Sequence, residues 1–136
     1  MPNHSNSFQL RVYYEDTDAG GIVYFANYQK FFERARTEWL RQLGINQQTY
    51  LEQNAGFVVR KLETDYLASA KLDDLLTVNT KIIQMKRASV VFDQEIINQQ
   101  GLLLCASKVV VAYVDLTKSK PCPIPDSIKG ALTRVS

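Results

Sequence analysis

Residues 15–18 hold three carboxylates, on Glu15, Asp16 and Asp18, and the glycine pair Gly20-Gly21 follows them. Paired glycines free the backbone for tight turns, and a helical pattern begins a few residues later. The acids therefore lie on a loop before a helix, where free backbone N–H groups and the helix dipole favour an ionised carboxylate. The same N–H groups can polarise a substrate carbonyl, as in an oxyanion hole. This pattern is typical of a carboxylate nucleophile or general base, and helix capping is the alternative.

Few other side chains offer chemistry. The single histidine, His4, lies in a polar N-terminal segment, which argues against a Ser-His-Asp hydrolase, a histidine-based dehydratase or a histidine zinc site. The acids lack the spacing of a calcium loop. Cys105 and Cys122 lack a metal-like spacing, and Cys105 in LLLCASK is expected to be an inert core thiol. We therefore expect an enzyme, if this is one, to use a carboxylate and no metal or cofactor.

A second group of polar residues comprises Lys86, Arg87 and Ser89, at a turn between two predicted strands. Two cations and a hydroxyl at a turn can hold phosphates through charge-assisted hydrogen bonds. A solvated hairpin end is the alternative. Lys118 and Lys120 add positive charge near the chain end.

The helix that positions the acidic loop is predicted to begin between residues 24 and 27 and to stop at Gly44. Apolar residues recur through it at steps of three and four, which predicts one buried face. That face comprises Tyr28, Phe31, Phe32, Ala35, Trp39, Leu40 and Leu43. The polar segment 46–54 has room for a second short helix.

Most of the remaining chain is predicted to be strand, because it is rich in branched and aromatic residues. A first strand is expected over residues 8–14, after a frayed segment 1–7. Four more strands follow Gly56, and their short connections predict an antiparallel sheet. They are FVVRKLETDYLASA, LLTVNTKIIQMK, ASVVFDQEIIN and LLLCASKVVVAYVDL. Prolines argue against a ladder strand in KSKPCPIP, and Asp126 is predicted to cap a short helix over residues 127–133.

Size and composition favour one soluble domain over residues 1–136. A net charge of +2 is too small to indicate nucleic-acid binding. The N-terminus has no apolar signal-peptide region, and no apolar run has the length of a membrane span. Two cysteines favour the reducing cytoplasm over a disulfide framework.

With these residues in place, the chain resembles the hotdog-fold acyl-CoA thioesterases of the 4-hydroxybenzoyl-CoA thioesterase type, closest to the branch associated with the bacterial Tol-Pal system. The resemblance covers about residues 9–128. It rests on VYYEDTDAGGIVYFANYQKFFERARTEWL, on FVVRKLETDYLASAKLDD, on KRAS at residues 86–89 and on KSKPCPIP.

The resemblance implies an α+β hotdog fold, in which an antiparallel sheet of about five strands wraps around one long central helix. It implies hydrolysis of acyl-CoA, or of acyl carrier protein thioesters, by a homodimer or homotetramer whose subunits pair edge to edge. The family's catalytic carboxylate falls on Asp18, acting as nucleophile or as general base. Its carbonyl-polarising amide falls on Phe25, and its CoA-phosphate region falls on Lys86, Arg87 and Ser89.

The chain departs from the family at Phe25, where many close members carry histidine. The backbone N–H survives this change, but any role of a histidine side chain is lost. The change predicts a more apolar acyl pocket and leaves the acyl preference open.

Two alternatives to a thioesterase stay open. One is a non-catalytic hotdog module that binds acyl thioesters or a protein partner, because a fold does not fix a function. The intact Asp18 loop argues against it, since a binding module does not need that carboxylate. The other is a hotdog hydratase or dehydratase, which would normally need an active-site histidine.

Overall fold

The computed structural model describes residues 4–136, and within them five long strands form one antiparallel sheet. The strands are β1 (Ser5–Arg11), β2 (Ala55–Tyr66), β3 (Leu75–Met85), β4 (Ser89–Ile97) and β5 (Leu103–Asp115), and a two-residue β6 (Lys120–Pro121) pairs with the end of β5. The order across the sheet is β1-β3-β4-β5-β2, so β1 and β2 are its free edges within the described residues. The four antiparallel strands predicted after Gly56 are confirmed.

One long helix, α1 (Asn27–Gln42), packs against the inner face of this sheet. Its buried face has the predicted spacing and comprises Tyr28, Phe31, Phe32, Ala35, Trp39 and Leu40, with Arg36 among them. Gly44 ends the helical segment at a φ of +83°, a left-handed conformation that glycine adopts without steric strain. A sheet wrapped around one long helix is the predicted hotdog arrangement, and this prediction is confirmed.

The core consists of two apolar clusters, one at each half of α1. The N-terminal cluster packs Phe31 and its neighbours against Leu76 of β3 and lies beneath the acidic loop. The C-terminal cluster packs Trp39 against β4, β5 and the last helix, α3 (Asp126–Thr133). The acidic loop therefore rests on a closely packed base, which fixes its position relative to the start of α1.

The first strand begins earlier and ends earlier than predicted. Residues 5–7 pair with residues 79–81, so the prediction that all of residues 1–7 are frayed is wrong for them, and residues 1–3 lie outside the described part of the chain. The Ser7 Oγ donates to Asn79 Oδ1 over 2.6 Å, which shows how a polar segment can join a sheet edge. At the other end β1 stops at Arg11, because Tyr14–Asp16 form a 3-10 turn.

The chain end shows two further departures. Lys120 and Pro121 do form a ladder with β5, contrary to prediction, because this ladder is only two residues long and a proline is tolerated at its end. The short helix α3 is confirmed, but it includes Asp126, and Pro125 occupies the N-cap position with no side-chain hydrogen bond. The capping role predicted for Asp126 is therefore wrong.

The segment between α1 and β2 holds the predicted second short helix, α2 (Gln47–Glu52). The Asn46 side chain caps it by accepting the Gln48 N–H over 3.1 Å. None of the helices within residues 4–136 has the length and apolar composition needed to cross a membrane.

Candidate active site

The acidic loop between β1 and α1 forms a tight turn around Asp18. The Asp18 N–H donates to the Ile22 carbonyl over 3.0 Å, and the Gly21 N–H donates to the Asp18 carbonyl over 3.0 Å. Gly21 has a φ of +72°, which explains why this turn contains glycine. The Asp18 Oδ1 accepts the Gly20 N–H over 3.1 Å, and the side chain is exposed. The glycine pair thus shapes the loop and orients its last carboxylate.

The loop is fastened to the connection between β2 and β3. The Val23 N–H donates to the Ala70 carbonyl over 2.9 Å, and the Leu72 N–H donates to the Gly21 carbonyl over 3.1 Å. These bonds hold the loop at the end of the sheet where β2 stops and β3 begins.

The three acids of the loop have different surroundings. The Asp16 Oδ2 accepts the Tyr13 N–H over 2.8 Å, and the Asp16 carbonyl accepts the Asn27 side-chain amide over 2.9 Å. Asp16 is therefore engaged in ordering the loop. Glu15 is exposed, and Asp18 alone of the three lines the cleft described below.

The start of α1 presents an unpaired backbone donor. Within residues 4–136 no acceptor pairs with the N–H of Phe25, which lies two residues before the helix. Such N–H groups lie at the positive end of the helix dipole and can donate to a ligand. Phe25 is 58% exposed, and the centroid of its ring lies 6.0 Å from that of Tyr66 at the end of β2.

Asp18 and Phe25 line one cleft, which has a volume of about 380 Å³. Its walls come from the acidic loop, the first turn of α1 and the end of β2 with the residues that follow. The lining residues are Asp18, Ile22, Val23, Tyr24, Phe25, Tyr28, Tyr66, Leu67, Ala68 and Ser69. The structure therefore brings together the carboxylate and the amide that the sequence singled out.

Two tyrosines of this cleft were not predicted as site residues. Tyr28 was expected only to pack in the core; it is buried, but its oxygen also accepts the Ala70 N–H over 2.9 Å. Burial raises the pKa of Tyr28 above its ordinary value, so the phenol stays protonated at neutral pH. Tyr66 reaches the cleft because β2 runs beside α1, where Gln29 Nε2 donates to Thr64 Oγ1 over 2.9 Å. No local pattern could have identified Tyr66, since its place depends on how β2 is aligned with α1.

The second predicted group lies where expected, at the turn between β3 and β4. The Lys86 N–H donates to the Ser89 carbonyl over 2.8 Å and closes the turn. Lys86 and Arg87 are exposed and Ser89 is half-buried, so the two cations are available to an anion. Lys120, in the neighbouring β6, is exposed at the same end of the sheet.

This turn does not lie near the cleft of the same chain. The acidic loop lies beside the start of β3, where the Val12 N–H donates to the Asp74 carbonyl over 2.9 Å. Lys86 follows the last residue of β3, which is 11 residues long. At about 3.3 Å per residue, these 11 residues span about 35 Å along the strand, so the two groups lie at opposite ends of β3.

The remaining candidate residues are placed as follows. His4 is exposed immediately before β1, whereas the acidic loop follows the other end of that strand. Cys105 is fully buried, and neither it nor Cys122 forms a disulfide. Within residues 4–136, no three His, Cys, Asp or Glu side chains are grouped as a metal site would require.

Comparison with known proteins gives consistent matches over nearly the whole chain. Residues 12–132 match the family model of the thioesterase-like superfamily. An acyl-CoA thioesterase YbgC from Haemophilus influenzae is 52% identical over 132 residues, which are 96% of this chain and 96% of that protein. An acyl-CoA thioester hydrolase YbgC from Escherichia coli O6:H1 is 50% identical over 119 residues, which are 88% of this chain and 89% of that protein. Among solved structures, a probable thioesterase from Bartonella henselae is 37% identical, with a TM-score of 0.81 over 89% of this chain and 99% of that one.

Proposed function

Because this chain belongs to the thioesterase-like superfamily, we propose that it hydrolyses acyl-CoA thioesters with Asp18 as its catalytic carboxylate. One observation carries the proposal: the Asp18 side chain and Phe25, whose N–H has no partner within residues 4–136, line the same cleft. The names of the YbgC relatives support the reaction class.

In this proposal the thioester carbonyl oxygen accepts a hydrogen bond from the Phe25 N–H. The N-terminal end of α1 adds a positive partial charge, so the negative charge that develops on this oxygen is stabilised. Asp18 then either attacks the carbonyl carbon, which forms a mixed anhydride and releases the CoA thiolate, or removes a proton from an attacking water. In the first route water then hydrolyses the anhydride and regenerates the Asp18 carboxylate, so both routes yield a carboxylic acid and CoA. Mass spectrometry after rapid quenching separates them, because only the first leaves the acyl group on Asp18.

The phosphates of CoA are assigned in this proposal to Lys86, Arg87 and Ser89. Two exposed cations and a hydroxyl can form charge-assisted hydrogen bonds with phosphate oxygens. The turn and the cleft of its own chain lie at opposite ends of β3, which spans about 35 Å along its 11 residues, so one chain does not present both to one substrate. A thioester would meet both groups only if the turn belongs to a second subunit.

The free edge of β2 is the surface proposed to bind that subunit. Apolar side chains are exposed along it, with Val58 at 41%, Val59 at 48% and Leu62 at 44%. An unpaired strand edge with exposed apolar side chains is normally covered in a native assembly. We therefore propose a homodimer formed by β2, from which a homotetramer can assemble.

Antiparallel pairing of two β2 strands would bring the two groups together. Around a twofold axis, Tyr66 of one subunit would lie near Ala55 of the other. Ala55 pairs with Asp115 in β5, and Ala112 of β5 pairs with Ser89. The cleft of one subunit and the 86–89 turn of the other would thus lie at the same end of the joint sheet. This symmetry supports a composite site built by two chains.

The rest of the proposal rests on the family resemblance together with the size and composition of the chain. Acyl carrier protein thioesters are a second substrate class, because they present the same thioester chemistry. We assign the protein to the cytoplasm and to the Tol-Pal-associated branch, and we treat residues 1–136 as a single domain that works without metal or cofactor.

The test compares wild-type protein with Asp18→Asn and Asp16→Asn, using short, long, branched and aromatic acyl-CoAs and detecting the released thiol. We expect Asp18→Asn to lower kcat/KM by about 10³-fold or more while the assembly stays folded, because a nucleophile or general base contributes about 10²- to 10⁴-fold. Asp16→Asn keeps an acceptor for the Tyr13 N–H and should lose less than about tenfold. Hydrolysis by Asp18→Asn at the wild-type rate would disprove the proposal. Binding of all substrates without turnover would instead indicate the non-catalytic module.

A further inference from the structure

The Tyr28 hydroxyl is a buried polar group that the mechanism above does not use. The side chain is 3% exposed, and its oxygen accepts the Ala70 N–H over 2.9 Å. Within residues 4–136, no acceptor receives the proton of this hydroxyl. A phenol can donate and accept at once, and a buried donor without an acceptor is unfavourable. The fold thus leaves one donor available beside the cleft.

The direction of the Tyr28 side chain places this donor at the beginning of α1. Helical side chains tilt toward the N-terminus of their helix, and Tyr28 lies in the first turn. Its ring therefore extends back past the start of the helix. Ala70 connects the hydroxyl to the acidic loop: its N–H donates to the Tyr28 oxygen, and its carbonyl accepts the Val23 N–H over 2.9 Å. The hydroxyl is accordingly held beside the acidic loop.

Tyr28 lines the same cleft as Asp18 and Phe25. Phe25 lies three positions earlier in the chain, in the turn that leads into α1. The Tyr28 N–H donates to the Phe25 carbonyl over 3.3 Å, which ties their positions together. One backbone donor and one side-chain donor therefore border the cleft at the same end of α1.

The ring of Tyr28 is held by its neighbours. Its centroid lies 6.2 Å from that of Phe31 and 5.6 Å from that of Tyr66, both in edge-to-face arrangements. A group held in this way can stabilise charge without reorganising during the reaction, which is what makes preorganised donors effective.

We propose that the Tyr28 hydroxyl is a catalytic residue, donating a second hydrogen bond to the thioester carbonyl oxygen that the Phe25 N–H binds. The inference rests on the proposed thioesterase function. The bond strengthens as the carbonyl oxygen gains negative charge, so it stabilises the transition state more than the substrate. It also supplies a side-chain donor that Phe25 cannot, since a phenylalanine ring has no polar hydrogen.

The alternative is that the hydroxyl only fastens Ala70 to the first turn of α1. Tyr28→Phe alone does not separate the two roles, because it removes both hydrogen bonds. Tyr113 provides a matched control for removing a buried tyrosine hydroxyl, because it is also 3% exposed but lies in the C-terminal apolar cluster.

In the first experiment, Tyr28→Phe and Tyr113→Phe are compared with wild type on the best acyl-CoA of the panel. We expect Tyr28→Phe to lower kcat by about 10²-fold, the typical loss of one oxyanion donor, with KM changed less than about threefold. Tyr113→Phe should stay within about twofold of wild type. Wild-type kcat in a folded Tyr28→Phe protein would overturn the inference.

In the second experiment, fluorinated tyrosines of increasing phenol acidity replace Tyr28 by site-specific incorporation. Each analogue keeps an oxygen for the Ala70 N–H, so the structural role is preserved even if Tyr28→Phe does not fold. We expect kcat to rise with donor acidity at a pH below the phenol pKa, and a kcat independent of acidity overturns the inference. A wild-type protein with no hydrolysis would contradict the proposed function, whereas an active protein insensitive to the analogues would contradict only the role of Tyr28.

Discussion

Arg36 of α1 donates a hydrogen bond from Nη1 to Oε1 of Gln94 in β4, over 2.8 Å, in the middle of the core. Both side chains are buried, at 8% and 2% exposed. Gln94 Nε2 donates in turn to the Phe32 carbonyl over 3.0 Å and to Thr80 Oγ1 over 2.9 Å. Within residues 4–136 no carboxylate forms an ion pair with Arg36, and burial lowers the pKa of its guanidinium. A neutral amide thus supports a buried charge between the two apolar clusters.

We expect Gln94→Leu to destabilise the protein by about 2–4 kcal/mol, because it leaves the Arg36 guanidinium buried without this acceptor. Urea unfolding measures the change. The double variant Arg36→Met/Gln94→Leu should be less destabilised than the sum of the two single variants, since no buried guanidinium remains without its acceptor, although the Thr80 hydroxyl and the Phe32 carbonyl still lose the Gln94 donor. Additive losses would show that the hydrogen bond contributes little.

The residues that are close together in the chain were predictable from sequence. Asp18 and Phe25 lie seven positions apart, on one loop and the helix it leads into, so local turn and helix rules place them together. The spacing of apolar residues in α1 predicts its buried face, and the short connections between strands predict an antiparallel sheet.

The residues that meet through strand alignment were not predictable. Gln94 lies 58 positions from Arg36, and Tyr66 lies 38 positions from Tyr28, so each pair depends on how β2 or β4 is aligned with α1. Residues 5–7 are polar and lack an apolar pattern, so the sequence predicts a frayed tail there. They join the sheet through backbone hydrogen bonds, which side-chain patterns do not reveal.

Alkaline pH should destabilise the protein partly through Cys105. Burial raises the pKa of this thiol from its ordinary value of 9.0 to about 12. Between these two pH values the unfolded chain binds fewer protons than the folded one, so the free energy of unfolding falls as pH rises. Below pH 9 the stabilisation that comes from the protonated Cys105 thiol is fully present. We expect Cys105→Ala to flatten this decline, measured by urea unfolding from pH 8 to about pH 11.

The comparison of slopes must allow for the other buried groups that titrate at alkaline pH. Burial also raises the pKa of Tyr28 and Tyr113, so part of the decline above about pH 10 should persist in every variant. An identical slope in Cys105→Ala and wild type would refute the prediction.

Arg87→Ala should weaken binding of the CoA end without affecting the chemical step. We expect KM for acyl-CoA to rise by about 5- to 20-fold, the loss of one charge-assisted contact, with kcat nearly unchanged. The same acyl group on pantetheine, which lacks the nucleotide phosphates, should show no difference between variant and wild type. Arg34→Ala, which removes an exposed cation from α1, is the matched control. An equal KM increase for both substrates would place Arg87 outside the phosphate site.

Mixed subunits test whether one site is built by two chains. Asp18→Asn chains and Lys86→Ala/Arg87→Ala chains are each impaired alone, and we expect their mixture to regain activity. In a random 1:1 mixture half of the dimers are mixed, and each mixed dimer has one site with an intact Asp18 facing an intact turn. Recovery should therefore reach about a quarter of wild-type activity at low substrate concentration.

If Asp18 and the turn of its own chain served one substrate, every site would carry a defect and the mixture would not exceed the mean activity of its two parent variants. Asp18→Asn chains remixed with themselves control for the effect of subunit exchange.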